Sequence, residues 1–176
     1  MRRGWLLVAL FCILTLSACG TVSNVTSFRP GANGSKWQTG NLSAYLRQMM
    51  GSKVEKLKNS ICVTLPSDSL FQPGPSSVTL SNAADIGVLA NACKKNPHMD
   101  IAVDAYTDCV HSEEKNLTAS ELEAWLIKKA LVERGISAGR ITAQGWGESK
   151  PVATNATLDG RKANRRVTIT FEPGKS

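Results

Sequence analysis

The chain has 176 residues, of which 42% are hydrophobic and 20% charged, so it is not wholesale disordered and has room for one domain and a tether. Its formal charge of +7 falls to +5 once Arg2 and Arg3 of an N-terminal leader are set aside, since 19 basic residues then face 14 acidic ones. That excess is spread along the chain with no basic stripe interleaved with aromatics, which excludes nucleic acid and suits a cell-wall polymer or lipid surface.

In chain order, residues 1–18 read as a secretory signal. Arg2 and Arg3 supply the charged start, and Trp5 to Leu16 is an apolar run of 12 residues. A membrane span needs about 20 apolar residues, so this run is too short. Its exit, Leu16-Ser17-Ala18-Cys19-Gly20, resembles the bacterial lipobox, in which the cysteine is acylated and becomes the new N-terminus. Cys19 is thus the expected lipidation site, and several acyl chains hold a protein stably at a membrane. Gly20 is not the aspartate that retains lipoproteins in the inner membrane, so the outer membrane is the expected address.

Residues 19–59 read as the lipidated N-terminus, a Gly/Ser/Thr/Asn-rich linker and a short helix, and residues 60–173 as the folded domain. The helix is expected over 41–58, where Leu42, Tyr45, Leu46, Met49, Met50, Val54 and Leu57 fall mostly at helical spacing and Gly51 is a break point. From Ile61 to Leu65 the pattern predicts a strand, followed by a Pro/Gly/Ser loop over 71–77. A helix is expected over 82–93, a strand over 99–106 and a helix over 120–134, closed by Gly135. Strands over 141–144 and 166–172 complete a β-α-β-α-β-β order. That order implies an α+β sandwich with helices packed on one face of a mixed sheet.

Cys12 leaves with the leader and Cys19 carries lipid, so Cys62, Cys93 and Cys109 remain in an oxidising compartment. Cys62 opens a strand and Cys93 closes the next helix at the same end of the unit, which makes Cys62–Cys93 the expected disulfide. His98 and His111 lie on different loops without metal spacing, so no metal or cofactor is expected. Asp104 and Asp108 are four apart and lack catalytic partners, and no GxSxG is present. Enzymatic activity is not expected. Trp125 and Trp146 read as core residues, and Glu113-Glu114-Lys115 as a solvated loop.

Several motifs, in order, resemble the OmpA C-terminal family, which includes the peptidoglycan-associated lipoproteins. Leu70-Phe71 and Gly74 resemble its "LF…G", Thr107-Asp108 its "TD", and Asn116 its asparagine eight residues on. Gly145 to Val152 (GWGESKPV) matches "GxGExxPV". Asn155, Gly160-Arg161 and Asn164-Arg165-Arg166-Val167 match "N…GR..NRRV". The resemblance implies an OmpA-like sandwich that takes the free end of diaminopimelate in the peptidoglycan stem peptide. That end carries an ammonium, which an aspartate meets, and a carboxylate, which an arginine fork grips through paired charge-assisted hydrogen bonds. By this resemblance Thr107, Asp108, Asn116, Arg161, Asn164 and Arg165 are the ligand-binding residues.

One departure stands out. The family arginine of the second helix falls on Glu123, with His111 and Ala119 replacing a glycine and a leucine. A carboxylate facing the ligand carboxylate weakens wall binding unless Lys115, Arg161 or Arg165 reaches in, because losing one side of a buried charge pair costs about 2–5 kcal/mol. The chain is also similar to the small OmpA-like lipoproteins of type IVB (Dot/Icm) secretion systems. Two functions follow. One is a periplasm-facing link from the outer membrane to peptidoglycan. The other is a structural subunit that docks envelope or secretion-complex proteins through a degenerate pocket.

Overall fold

Strict alternation of apolar side chains decides the sheet. In β2 (Ile61–Pro66), Ile61, Val63 and Leu65 are buried while the residues between them are half-buried. Strands β5 (Met99–Tyr106) and β7 (Arg166–Pro173) repeat the pattern with Met99, Ile101, Val103 and Ala105, and with Val167, Ile169 and Phe171. The computed structural model describes residues 39–73 and 78–174, which fall in one compact unit; the expected leader, Cys19 and most of the linker lie outside them. Strand β1 (Lys53–Lys56) and strand β6 (Ile141–Gly145) form the edges, giving the order β1-β2-β7-β5-β6. Only β5 and β6 run parallel, so the sheet is mixed, as the element order implied.

Both long helices cover one face of that sheet. Helix α3 (Ala83–Lys95) buries Ile86, Leu89, Ala90 and Cys93, and helix α4 (Glu113–Glu133) buries Ala124, Ile127, Ala130 and Leu131. These spacings of three and four make one apolar stripe per helix. Each large aliphatic chain fully removed from water stabilises the fold by about 1.5–3 kcal/mol. Helix α3 is capped by Asn82, whose side chain accepts from the Asp85 N–H at 3.0 Å.

The segment 41–58 is not one helix. Helix α1 (Thr39–Leu46) ends early, the chain turns through Gly51 at φ +70°, and Lys53–Lys56 pairs with β2 as an edge strand. Leu42, Leu46 and Met49 join the core, whereas Leu57, which helical spacing had grouped with them, is exposed. Helix α4 starts seven residues earlier than expected, at Glu113, because Ser112 caps it and Glu113 and Glu114 suit the positive helix start. The run Glu113-Glu114-Lys115 is therefore its first turn and not a loop. A one-turn helix α2 (Ser67–Leu70), a pair of short strands β3 (Phe71–Pro73) and β4 (Val78–Leu80), and helix α5 (Leu158–Asn164) complete the described elements. Among the described residues, no helix is long and apolar enough to cross a membrane.

The expected Cys62–Cys93 bridge is not formed, and all three described cysteines are free thiols. Pleating explains the difference. Cys62 points away from the face that carries Ile61 and Val63, while Cys93 lies in the core beneath that face.

Candidate functional site

Strand β7 lies between β2 and β5 and runs antiparallel to both. The C-terminal ends of β2 and β5 therefore meet the N-terminal end of β7, with Pro66 and Tyr106 both opposite Arg166. Four polar side chains leave the sheet there: Ser67 and Asp68 after β2, Asp108 after β5, and Arg165 before β7. The Ser67 N–H donates to the Arg165 carbonyl at 3.0 Å, which locks α2 to the start of β7.

Arg165 spans two carboxylates. Its Nη1 meets Asp108 Oδ2 at 2.8 Å, while Nε and Nη2 grip Asp68 at 3.2 and 2.9 Å. Asp108 is buried and also accepts from the Val110 N–H at 3.1 Å, whereas Asp68 is half exposed. Hydrogen bonding from Arg165 holds the Asp68 carboxyl below its usual range, and the two carboxylates raise the affinity of the guanidinium for its proton.

Helix α4 supplies the third wall. Its buried face is apolar toward the C-terminus but carries Asn116, Ser120 and Glu123 in its N-terminal half. Glu123 is only 9% exposed, and its Oε2 accepts from Ser67 Oγ at 3.1 Å. Burial lifts the Glu123 carboxyl to about 7; the Ser67 hydrogen bond opposes this and the charge of Asp68 adds to it. Asp68, Asp108, Glu123 and Arg165 thus form one connected cluster with three acids and one cation.

The remaining residues expected to bind ligand are tied into the loops around the cluster. Asn164 is fully buried: its Oδ1 accepts from the Val152 and Ala153 N–H groups, and its Nδ2 donates to Ala153 O and Asn155 Oδ1. Arg161 donates to the Asn155 carbonyl at 2.8 Å, so both residues shape the loop before α5. Asn116 ties α4 to the His111 carbonyl and to Glu148. Thr107 donates its N–H to the Gly147 carbonyl, and its Oγ1 is buried without a partner. Of the adjacent arginines only Arg165 faces the cluster; Arg166 lies 3.8 Å over the Tyr106 ring.

Ser67 and Asp68 were not legible as site residues, since a four-residue helix shows no periodicity. Trp125 is half exposed rather than core, and Trp146 donates its indole N–H to Asp104 at 2.8 Å. No group of three metal-ligating side chains occurs among the described residues.

The glycine motif after β6 is explained by close approach. A Cβ on Gly145 would overlap the Glu121 backbone, and Gly147 takes φ +52° against Leu117. The sequence model of the OmpA family matches residues 70–165, more than half of the chain. This chain belongs to the OmpA family. It is 31% identical over 133 residues to the probable lipoprotein YiaD of Escherichia coli K12, covering 74% of this chain and 61% of YiaD. Outer membrane porin F of Pseudomonas aeruginosa is 41% identical over 106 residues, covering 60% of this chain and 30% of the porin. The chain therefore spans less than two thirds of the length of either relative. Among solved structures, the cell wall anchor of the Pseudomonas aeruginosa T6SS superposes with a TM-score of 0.65 at 29% identity, covering 75% of this chain and 96% of the anchor. The OmpA family is a structural rather than an enzymatic one. In this member Asp108, after β5, and Asp68, after β2, flank the Arg165 fork, and Glu123 on α4 reaches the cluster through Ser67.

Proposed function

We propose that this OmpA-family chain is a non-enzymatic lipoprotein that links the outer membrane to peptidoglycan. Cys19 carries the lipid, and the folded domain, which includes α1 and β1, faces the periplasm on the intervening linker. The observation that carries the reading is the Asp108–Arg165 pair at the junction of three strand ends, with Asp108 buried and Arg165 open to solvent on one side. A free diaminopimelate end offers an ammonium for Asp108 and a second charged group for Arg165. The likeness to a cell wall anchor supports the same reading.

Co-sedimentation of the chain with purified diaminopimelate-type sacculi tests it. Wild type pellets, and Asp108→Ala loses at least about tenfold in the bound fraction, the loss expected when one side of a buried charge pair goes. A second reading is favoured by Glu123, because an acidic pocket disfavours a ligand carboxylate. It makes the chain a structural subunit of a secretion-system core complex, docking envelope proteins through this pocket. Failure of the wild type to pellet at low and physiological salt would leave that second reading standing in place of the first.

A further inference from the structure

Arg165 is bonded to Asp68 and Asp108, and Glu123 joins them through the Ser67 hydroxyl and the charge of Asp68; no second arginine or lysine is hydrogen-bonded to any of the three acids among the described residues. The guanidinium already uses Nε, Nη1 and Nη2, which leaves it two of its five donors. Glu123 Oε2 takes the Ser67 hydroxyl, and Oε1 has no hydrogen-bond partner among the described residues. A ligand with a free carboxylate must then bring a further negative charge against these acids, or take up a proton. A ligand ending in an ammonium and a neutral amide meets no such conflict. Its ammonium faces Asp108, its amide N–H groups face Glu123 Oε1, and its carbonyl accepts from the remaining Arg165 donors.

We infer that this pocket selects stem peptides whose diaminopimelate side chain ends in a carboxamide rather than a carboxylate, with Glu123 as the specificity-determining residue. The inference rests on the wall-binding reading above and names the form of wall that the site takes. A lysine-type stem supplies the ammonium alone and leaves Glu123 Oε1 without a donor, so it binds more weakly than the carboxamide. Polar groups of a site left without their ligand partner are what give it discrimination.

The test is calorimetric titration of the full chain, purified in detergent, with three synthetic tripeptides: L-alanyl-γ-D-glutamyl-diaminopimelate, its side-chain carboxamide, and the lysine analogue. The carboxamide binds wild type at least about tenfold tighter than the acid, as expected for like charges brought together. Glu123→Gln, which keeps the volume and the Ser67 contact, narrows that ratio to within about threefold. Glu123→Arg reverses it in favour of the acid. Equal or tighter binding of the acid or of the lysine analogue by wild type overturns the inference and leaves the wall-binding reading intact. An unchanged ratio in Glu123→Gln overturns Glu123 as its determinant. Absence of binding to all three peptides, in wild type and in Glu123→Arg alike, overturns both the inference and the reading beneath it.

Discussion

The hydroxyl of Ser67 donates to the carboxyl of Glu123 at 3.1 Å and joins the end of β2 to the buried face of α4. Glu123 therefore couples the fold to pH. Burial lifts its carboxyl from 4.5 to about 7, so between these values the folded chain holds a proton that the unfolded chain has released. The contribution of this residue to stability is full below about pH 4.5 and is lost as pH rises through about 7, by up to roughly 3 kcal/mol. Asp68, Asp108 and Arg165 face the same cluster, and Asp68 adds to the rise. Urea unfolding at about pH 5 and pH 8 should show that slope in wild type and a flatter one in Glu123→Gln. Equal slopes in the two proteins would remove Glu123 as the cause.

Asn164 makes four hydrogen bonds with no exposed surface, and two of its donors are the backbone N–H groups of Val152 and Ala153. Asn164→Ala takes that acceptor from both amides and empties a fully buried position, at a cost of about 1–3 kcal/mol. Hydrogen exchange should quicken at Val152 and Ala153 well before it does in β5. Protection unchanged at those two amides would show that another group holds the loop.

Much of this fold was legible because one face of each central strand is buried. The run Met99 to Tyr106 alternates so strictly that its bounds match the observed strand. Strand β1 was hidden for the opposite reason: on an edge, with only Val54 half-buried, it carries no alternation, and its residues fit helical spacing equally well. In the site, Asp108, Arg165 and Glu123 were found through motifs. Asn164 and Arg161, singled out in the same way, bond the loop before α5, and a motif does not distinguish a residue that touches ligand from one that ties down the loop beside it. Ser67 and Asp68 reach the site only through the pairing of β2 with β7, a contact across about a hundred residues that no local pattern records.

The cysteines should react in the order of their exposure. Cys109 is exposed, Cys62 half-buried, and Cys93 sits in the core, where burial lifts its thiol to about 11. Mass-spectrometric mapping after brief alkylation at neutral pH should find label at Cys109 first, and at Cys93 only after unfolding. A Cys62–Cys93 peptide in a non-reducing digest would contradict the separation of these two residues by the sheet.

Two glycines to alanine should move stability in opposite directions. At Gly145 an added Cβ would overlap the backbone nitrogen of Glu121 and crowd Ser120 Oγ at 2.6 Å, so β6 and α4 must separate. Backbone cannot yield as a flexible side chain does, and overpacking of this kind costs at least about 3 kcal/mol. Because α4 also carries Glu123, Gly145→Ala should weaken ligand binding as well as lower the melting temperature. Gly87 lies inside α3 with nothing within 4 Å of the added carbon. There alanine only restricts the unfolded chain and favours the helix, so Gly87→Ala should gain about 0.5–1 kcal/mol and leave binding unchanged. Thermal melts of both variants, read beside sacculus co-sedimentation, check the pair. A tolerated Gly145→Ala would mean that α4 does not pack on β6 as closely as the structure has it.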